Sequence, residues 1–214
     1  MSLFRTLCDI MLMIMDPLGK KELITFYDRH LRDFGDAPQA VRWTAEGQLR
    51  IYEKFLSIAG DLSGKEILDF GCGKGDFFGF IRGKGIATSY CGIDVNPNLI
   101  MLAQRKYPEA EFITLDIDEE EFNRQFDVII ICGAFNLRIA GIEDSVRHVL
   151  KKLCRLAREA MHVNFLTYHI PKKTVELFYV RPEEIIQFAV TELSGDVTLR
   201  HEKEDLFLSV YKVL

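Results

Sequence analysis

The sequence predicts an α/β protein built on a doubly wound, seven-stranded and mostly parallel sheet. Three observations predict it. Short apolar runs alternate with segments of helical period through the middle of the chain. Continuous apolar runs such as DVIIIC, Asp127 to Cys132, suit strands covered on both faces, the usual setting of parallel strands. The last two runs are separated only by Glu202, Lys203 and Glu204, which predicts a terminal hairpin whose last strand is antiparallel. At 214 residues and 48% hydrophobic content, the chain suits one domain with a full core.

Residues 1–19 read as an apolar N-terminal extension, with Ile10 to Met15 bracketed by Asp9 and Asp16. The run is too short to span a bilayer and has no small-residue cleavage site. Met11, Met13 and Met15 offer alternative starts, so the expectation is a non-native or unordered leader. The alternative is a dimer-forming segment, which makes a homodimer the protein partner to test for. Residues 20–60 read as a helical cap. Lys20–Phe34 carries Leu23, Ile24, Tyr27 and Leu31 at helical spacing, and a turn follows through Gly35, Asp36 and Pro38. Thr44–Ala59 gives a second amphipathic helix.

Residues 61–214 form the main domain, a single globular unit with the cap. Strands are expected at Glu66–Phe70, Ser89–Asp94, Glu111–Leu115, Phe126–Cys132, Met161–Thr167, Val197–His201 and Asp205–Lys212. Helices are expected at Gly75–Arg82, Asn98–Lys106, Ile142–Glu159 and Pro182–Leu193, with a short turn near Glu119–Asn123. Ligands of such sheets sit at the carboxyl ends of the strands.

The densest signal is ILDFGCGKGDF, Ile67 to Phe77, followed by GID, Gly92 to Asp94. A strand ending in an acid opens into a glycine-spaced turn and enters a helix; a second strand then ends in another acid. The dinucleotide fingerprint needs a third glycine where this chain has Asp76. Asp69, two residues before Gly71, would also repel a pyrophosphate at a helix N-terminus. A methionyl group carries a positive amine and a sulfonium, which acids near the turn favour. The pattern therefore points to S-adenosylmethionine (SAM), with S-adenosylhomocysteine (SAH) as product, rather than to a dinucleotide.

Together these residues resemble the class I SAM-dependent methyltransferases, a Rossmann-like family, over nearly everything from Lys20 to Leu214. YDRHLRDFGD, RWTAEGQ, CGAFNLR, VNFLTY and FYVRPEEIIQFA are similar to a bacterial group of small, largely uncharacterised methyltransferases. The resemblance implies that Asp69, with Gly71, Cys72 and Gly73, holds the methionyl amine. It implies that Asp94 accepts the ribose hydroxyls and that Val95 packs on adenine. Asp116 would bind the adenine amine and Ile117 would offer a backbone N–H. Asp118 is the rival acid and is expected to cap the following turn, while Asn96 is expected to cap the helix after Pro97. Cys132 and Gly133 fall beside the sulfur end. Trp43, the only tryptophan, reads equally as a lid over the methionyl end, near Gln48 and Tyr27, or as a core aromatic.

The function expected is methyl transfer to a small-molecule acceptor by in-line displacement. A protein or RNA methyltransferase and a non-catalytic SAM- or SAH-binding module are the alternatives. No catalytic residue stands out; the candidates are Asn136, Arg138, Tyr168, His169 and His30, with Arg138 able to clamp a carboxylate. Cys132 has no base beside it in sequence and reads as inert. A net charge of −5 and a pI near 5.6 disfavour nucleic acid, as does GAFN where amino-methylating nucleic-acid enzymes carry Asn/Asp-Pro-Pro. Cys8, Cys72, Cys91, Cys132 and Cys154 contain no C-x-x-C pair, which argues for a reducing cytoplasm and against a metal site. No membrane association is expected.

Overall fold

The computed structural model describes residues 16–212. The apolar run Ile10–Met15, its alternative starts and the dimer-forming reading lie outside them.

The cap begins with helix α1, Pro17–Phe34. Asp16 caps it by accepting from the Leu18 N–H at 2.7 Å, and Pro17 supplies the fixed first-turn geometry. The helix thus starts three residues before the expected Lys20. A 3₁₀ turn, Pro38–Val41, and helix α2, Ala45–Ala59, complete the cap. Thr44 caps α2 by accepting from the Gly47 N–H at 3.0 Å.

Strand β1 (Glu66–Phe70), helix α3 (Asp76–Gly83), strand β2 (Ser89–Asp94), helix α4 (Pro97–Lys106), strand β3 (Glu111–Thr114) and strand β4 (Phe126–Ile131) follow in alternation. Helix α5 (Ile142–Leu156), strand β5 (Ala157–Thr167), strand β6 (Tyr179–Val180), helix α6 (Pro182–Glu192), strand β7 (Val197–Glu202) and strand β8 (Asp205–Tyr211) close the chain. The main sheet runs β3-β2-β1-β4-β5-β8-β7. Its first five strands are parallel, and β8 lies antiparallel between β5 and β7. This is the expected doubly wound sheet, with one addition. The two-residue β6 pairs with β5 and makes an eighth strand, too short to leave a periodic trace in sequence.

Strand alternation divides the core. Ile67, Val128 and Ile130 pack with α2, α3 and α4 on one face, while Leu68, Ile129 and Met161 pack with α5 and α6 on the other. The expected helix Ile142–Glu159 is corrected: α5 stops at Leu156 and β5 begins at once. Arg158 and Glu159, which extend the helical pattern by composition, serve the sheet instead. Arg158 donates to Asp127 at 2.8 Å and to Glu66 at 2.5 Å, and Glu159 accepts from Lys65.

One charged cluster fastens the cap to the glycine turn. Asp76, the first residue of α3, accepts from Lys74, from Lys106 at 2.9 Å and from Gln48 of α2 at 3.0 Å. Lys74 is 2% exposed and also donates to the Asp36 carbonyl at 2.9 Å; Lys106 donates to the Asp36 carboxylate at 2.6 Å. Burial pushes the Asp76 carboxyl up, but the two lysines outweigh it and hold it below the usual range. A depressed folded value means the carboxylate stabilises at neutral pH and loses that contribution as pH falls through it. Removing Asp76 leaves the buried Lys74 with only the half-exposed Asp36 carboxylate, at 3.3 Å, to offset its charge. Asp76→Ala is therefore expected to lower stability at pH 7 by about 3–5 kcal/mol, measured by urea unfolding, with the deficit shrinking in acid.

Candidate active site

A cavity opens at the carboxyl ends of β1, β2 and β4, where open α/β sheets bind ligands. Its floor is the turn Gly71–Lys74 and the segment Cys132–Phe135. Leu23, Ile24 and Tyr27 of α1 roof it, with Trp43 from the link between the 3₁₀ turn and α2.

The glycine turn is tied to the end of β2. Gly71 and Cys72 donate their N–H groups to the Ile93 carbonyl, and Gly73 donates to Asp94 Oδ2 at 2.9 Å. Asp94 Oδ1 accepts from the Asn96 N–H at 2.8 Å. Burial raises the Asp94 carboxyl, while backbone N–H groups of Asn96, Gly73 and Val95 pull it back. A carboxylate offers about four acceptor positions, so these two bonds orient Asp94 and leave capacity for a ligand. Gly71 is required here: its φ is +71°, and a Cβ would sit 2.5 Å from that of Ala134. Asn96 caps α4 as expected, accepting from Asn98 and Leu99, and its side-chain amide donates to Asp28 of α1 at 2.9 Å.

Asp69 lies behind the cavity wall rather than among its lining residues. It is 1% exposed; Tyr90 donates its hydroxyl to Oδ2, and Oδ1 has no partner. Burial pushes the carboxyl to about 7, with Asp94 and Asp76 adding to the rise and the Tyr90 hydrogen bond opposing it.

Asp116, Ile117, Val95 and Cys132 line the cavity. The turn cap expected of Asp118 comes from Asp116. Asp116 caps the turn, accepting from the Asp118 N–H at 2.9 Å, while its other oxygen pairs with Lys20 of α1. Asp118 is buried and accepts from the Ser145 hydroxyl at 2.6 Å. The turn closes back on Asp116 because the chain reverses directly after β3, where Glu119 and Glu120 donate their N–H groups to the Asp116 carbonyl. Burial pushes the Cys132 and Cys72 thiols well up, as suits unreactive thiols.

None of the five catalytic candidates lines the cavity. His30 bonds to the Phe26 carbonyl at 2.9 Å. His169 is exposed and pairs with Glu183 at 3.1 Å. Tyr168 lies under the Arg181 guanidinium, 3.9 Å from the ring centroid. Arg138 is exposed, its N–H bonded to the Glu176 carbonyl. Asn136 is half-buried, and its N–H makes a 3.4 Å bond to the Gly133 carbonyl. Trp43 is both lining and core: it packs against the aromatic cluster and covers Gly133, whose Cβ would lie 2.9 Å from the indole. Gln48 faces Asp76 instead of the cavity. Sequence reasoning missed Tyr52, Lys74 and Asp76 as lining residues, and the apolar group Leu137, Ile139 and Val149. The lysine inside the glycine turn was the only readable signal among them.

Residues 67–160 match the family described as methyltransferase domain. A Mycobacterium tuberculosis protein classed by name as a methyltransferase is 26% identical over 145 residues, 64% of this chain and 85% of that protein. The family match, the relatives and the fold together indicate a class I SAM-dependent methyltransferase. The phthiotriol/phenolphthiotriol dimycocerosates methyltransferase of Mycobacterium leprae is 31% identical over 108 residues, covering 49% of this chain and 38% of that one. In fold, the chain is similar to magnesium protoporphyrin IX methyltransferase from Synechocystis with bound SAH. The TM-score is 0.64 at 15% identity, over 91% of this chain and 100% of that one. It is equally similar to the N-methyltransferase NodS of Bradyrhizobium japonicum in complex with SAH, at TM-score 0.64 and 15% identity, over 88% and 97% of the two chains. Among the described residues, no helix is long and apolar enough to cross a membrane, and no group of three or more His, Cys, Asp or Glu could hold a metal ion.

The Asp69 carboxyl titrates near 7 when folded and near 3.9 when unfolded, so the folded state binds more protons between those values. Stability of the ligand-free protein attributable to Asp69 therefore falls as pH rises from about 4 to about 7. His162, buried neutral and pushed down to about 4, acts with opposite sign up to about 6.5. Urea unfolding of wild type and Asp69→Asn isolates the Asp69 contribution. The variant is expected to gain on wild type as pH rises, by up to a few kcal/mol between pH 5 and 8.

Proposed function

We propose that the protein transfers a methyl group from SAM to a small-molecule acceptor by in-line displacement and releases SAH. The observation that carries the reading is Asp94. Its carboxylate is held at the cavity wall by two backbone N–H groups, with acceptor capacity left over for vicinal hydroxyls.

The other residues present fit the same ligand. Asp116 and Ile117 line the cavity together with the apolar side chains Leu137, Ile139 and Val149, a lining suited to a purine. The close approach of Gly71 to Ala134 leaves backbone rather than side chain at the floor. The unpartnered Asp69 oxygen, buried behind that floor, is an acceptor that suits a cationic amine through the wall or through water. When bound, SAM supplies a methyl group already activated by its sulfonium. The task of the chain is then alignment and exclusion of water, for which orientation alone is worth up to about 7–11 kcal/mol. Tyr27 and Trp43 line the cavity from the cap, and a pocket walled by cap and sheet favours a small acceptor over a polymer. Basic groups of the cap and of the lining are already paired: Lys20 with Asp116, Arg42 with Glu176 and Lys74 with Asp76.

Calorimetric titration with SAH tests the reading, with NADH as control and Asp94→Ala alongside. Wild type is expected to bind SAH and ignore NADH. Loss of two charge-assisted hydrogen bonds in Asp94→Ala should weaken binding by roughly 100-fold or more. A folded wild type that does not bind SAH, or an Asp94→Ala variant that binds it as tightly, contradicts the reading.

A further inference from the structure

Asn164 is fully buried in the middle of β5, between the buried apolar residues Val163 and Phe165. An amide in such a position destabilises the fold unless both its ends are hydrogen-bonded. Here both are. Asn164 Oδ1 accepts the Gly133 N–H at 2.8 Å, and Nδ2 donates to Asp205 Oδ1 at 3.4 Å. Asp205, at the start of β8, accepts from Arg50 of α2 at 2.8 Å through its other oxygen. The Asp205 side chain is 4% exposed, whereas that of Arg50 is 43% exposed. An unbroken polar chain thus runs from the surface of α2, across the β5–β8 pair, to a backbone N–H in the cavity wall.

The chain has a built-in sense of direction. An ionised Asp205 can only accept, so it draws the nitrogen of the Asn164 amide and turns the oxygen toward Gly133. Burial raises the Asp205 carboxyl, and the Arg50 guanidinium opposes that rise by favouring the ionised form. Gly133 in turn sits at φ +72°, with Cys132 and Ala134 on either side, and all three residues line the cavity. The indole of Trp43 lies directly over it.

We propose that Asn164 is a positioning residue: with Asp205 and Arg50 behind it, Asn164 fixes the turn after β4 and thereby the Trp43 side of the cavity. It touches neither cofactor nor acceptor and acts through the Gly133 backbone. Its link to SAH affinity rests on the cofactor reading given above; the hydrogen-bond chain itself does not.

The intact protein carries its own reporter, since Trp43 is its only tryptophan. The Gly133 amide resonance and the Trp43 emission are measured first without ligand, then during titration with SAH. In Asn164→Ala, the Gly133 amide proton is expected to move upfield and the Trp43 emission to shift. The Kd for SAH should rise about tenfold, the scale of one lost hydrogen bond. Arg50→Met, at an exposed position, is expected to shift both signals in the same direction by less and to raise Kd about threefold. It decides the matter if Asn164→Ala fails to fold. Unchanged Gly133 and Trp43 signals in a folded variant overturn the proposal. A wild type that does not bind SAH overturns the cofactor reading, and the ligand-free signals then still judge the hydrogen-bond chain.

Discussion

The arrangement of this site depends on one carboxylate. Asp76 stands at the first position of α3, where a helix favours negative charge, and gathers Lys74, Lys106 and Gln48 around it. Through Lys74 and Lys106 it also engages Asp36 in the link after α1. The glycine turn, the cap and α4 therefore meet at a single buried charge cluster. Without it, the cap would keep its amphipathic face and its other polar contacts but lose the ties that fasten it to the glycine turn. Charged networks of this kind contribute less net stability than apolar packing of equal volume; what they contribute is a fixed geometry.

A second division of labour follows from burial. The acids at the strand ends are not equivalent. Asp94 is oriented by backbone N–H groups and lines the cavity. Asp69 is sunk behind the wall with one oxygen unpartnered, and burial raises it to about 7. Asp116 is engaged by Lys20, so α1 is tied to the segment after β3 as well. The same helix reaches α4 through Asp28 and Asn96. The cap is thus coupled to the strand ends at several points, and each contact is polar and local enough to be broken by one substitution.

Much of this was legible in the sequence because the relevant signals are local. The strand–glycine turn–helix unit, the acid ending β2 and the Asn96 cap each follow from residues a few positions apart. The terminal hairpin follows from a three-residue gap between strands. The failures come from long-range physics. Arg158 and Glu159 continue a helical pattern by composition, and only the neighbouring Asp127, Glu66 and Lys65 draw them into β5. Asp116 rather than Asp118 caps the turn after β3, and the partners that engage the two acids, Lys20 and Ser145, are remote in sequence. Leu137, Ile139 and Val149 look like ordinary core residues until the fold leaves a cavity against them. Four of the catalytic candidates are polar groups after strand ends and the fifth, His30, is on α1, but salt bridges, ring stacking and backbone bonds engage most of them away from the cavity.

The most direct test of the central claim is a crystal structure of the protein grown with SAH. The account predicts the ribose hydroxyls on Asp94, the purine between Val95 and Ile117, and the homocysteine amine on the Asp69 side of the glycine turn. SAH bound elsewhere, or in this cavity with its ribose away from Asp94, would contradict it.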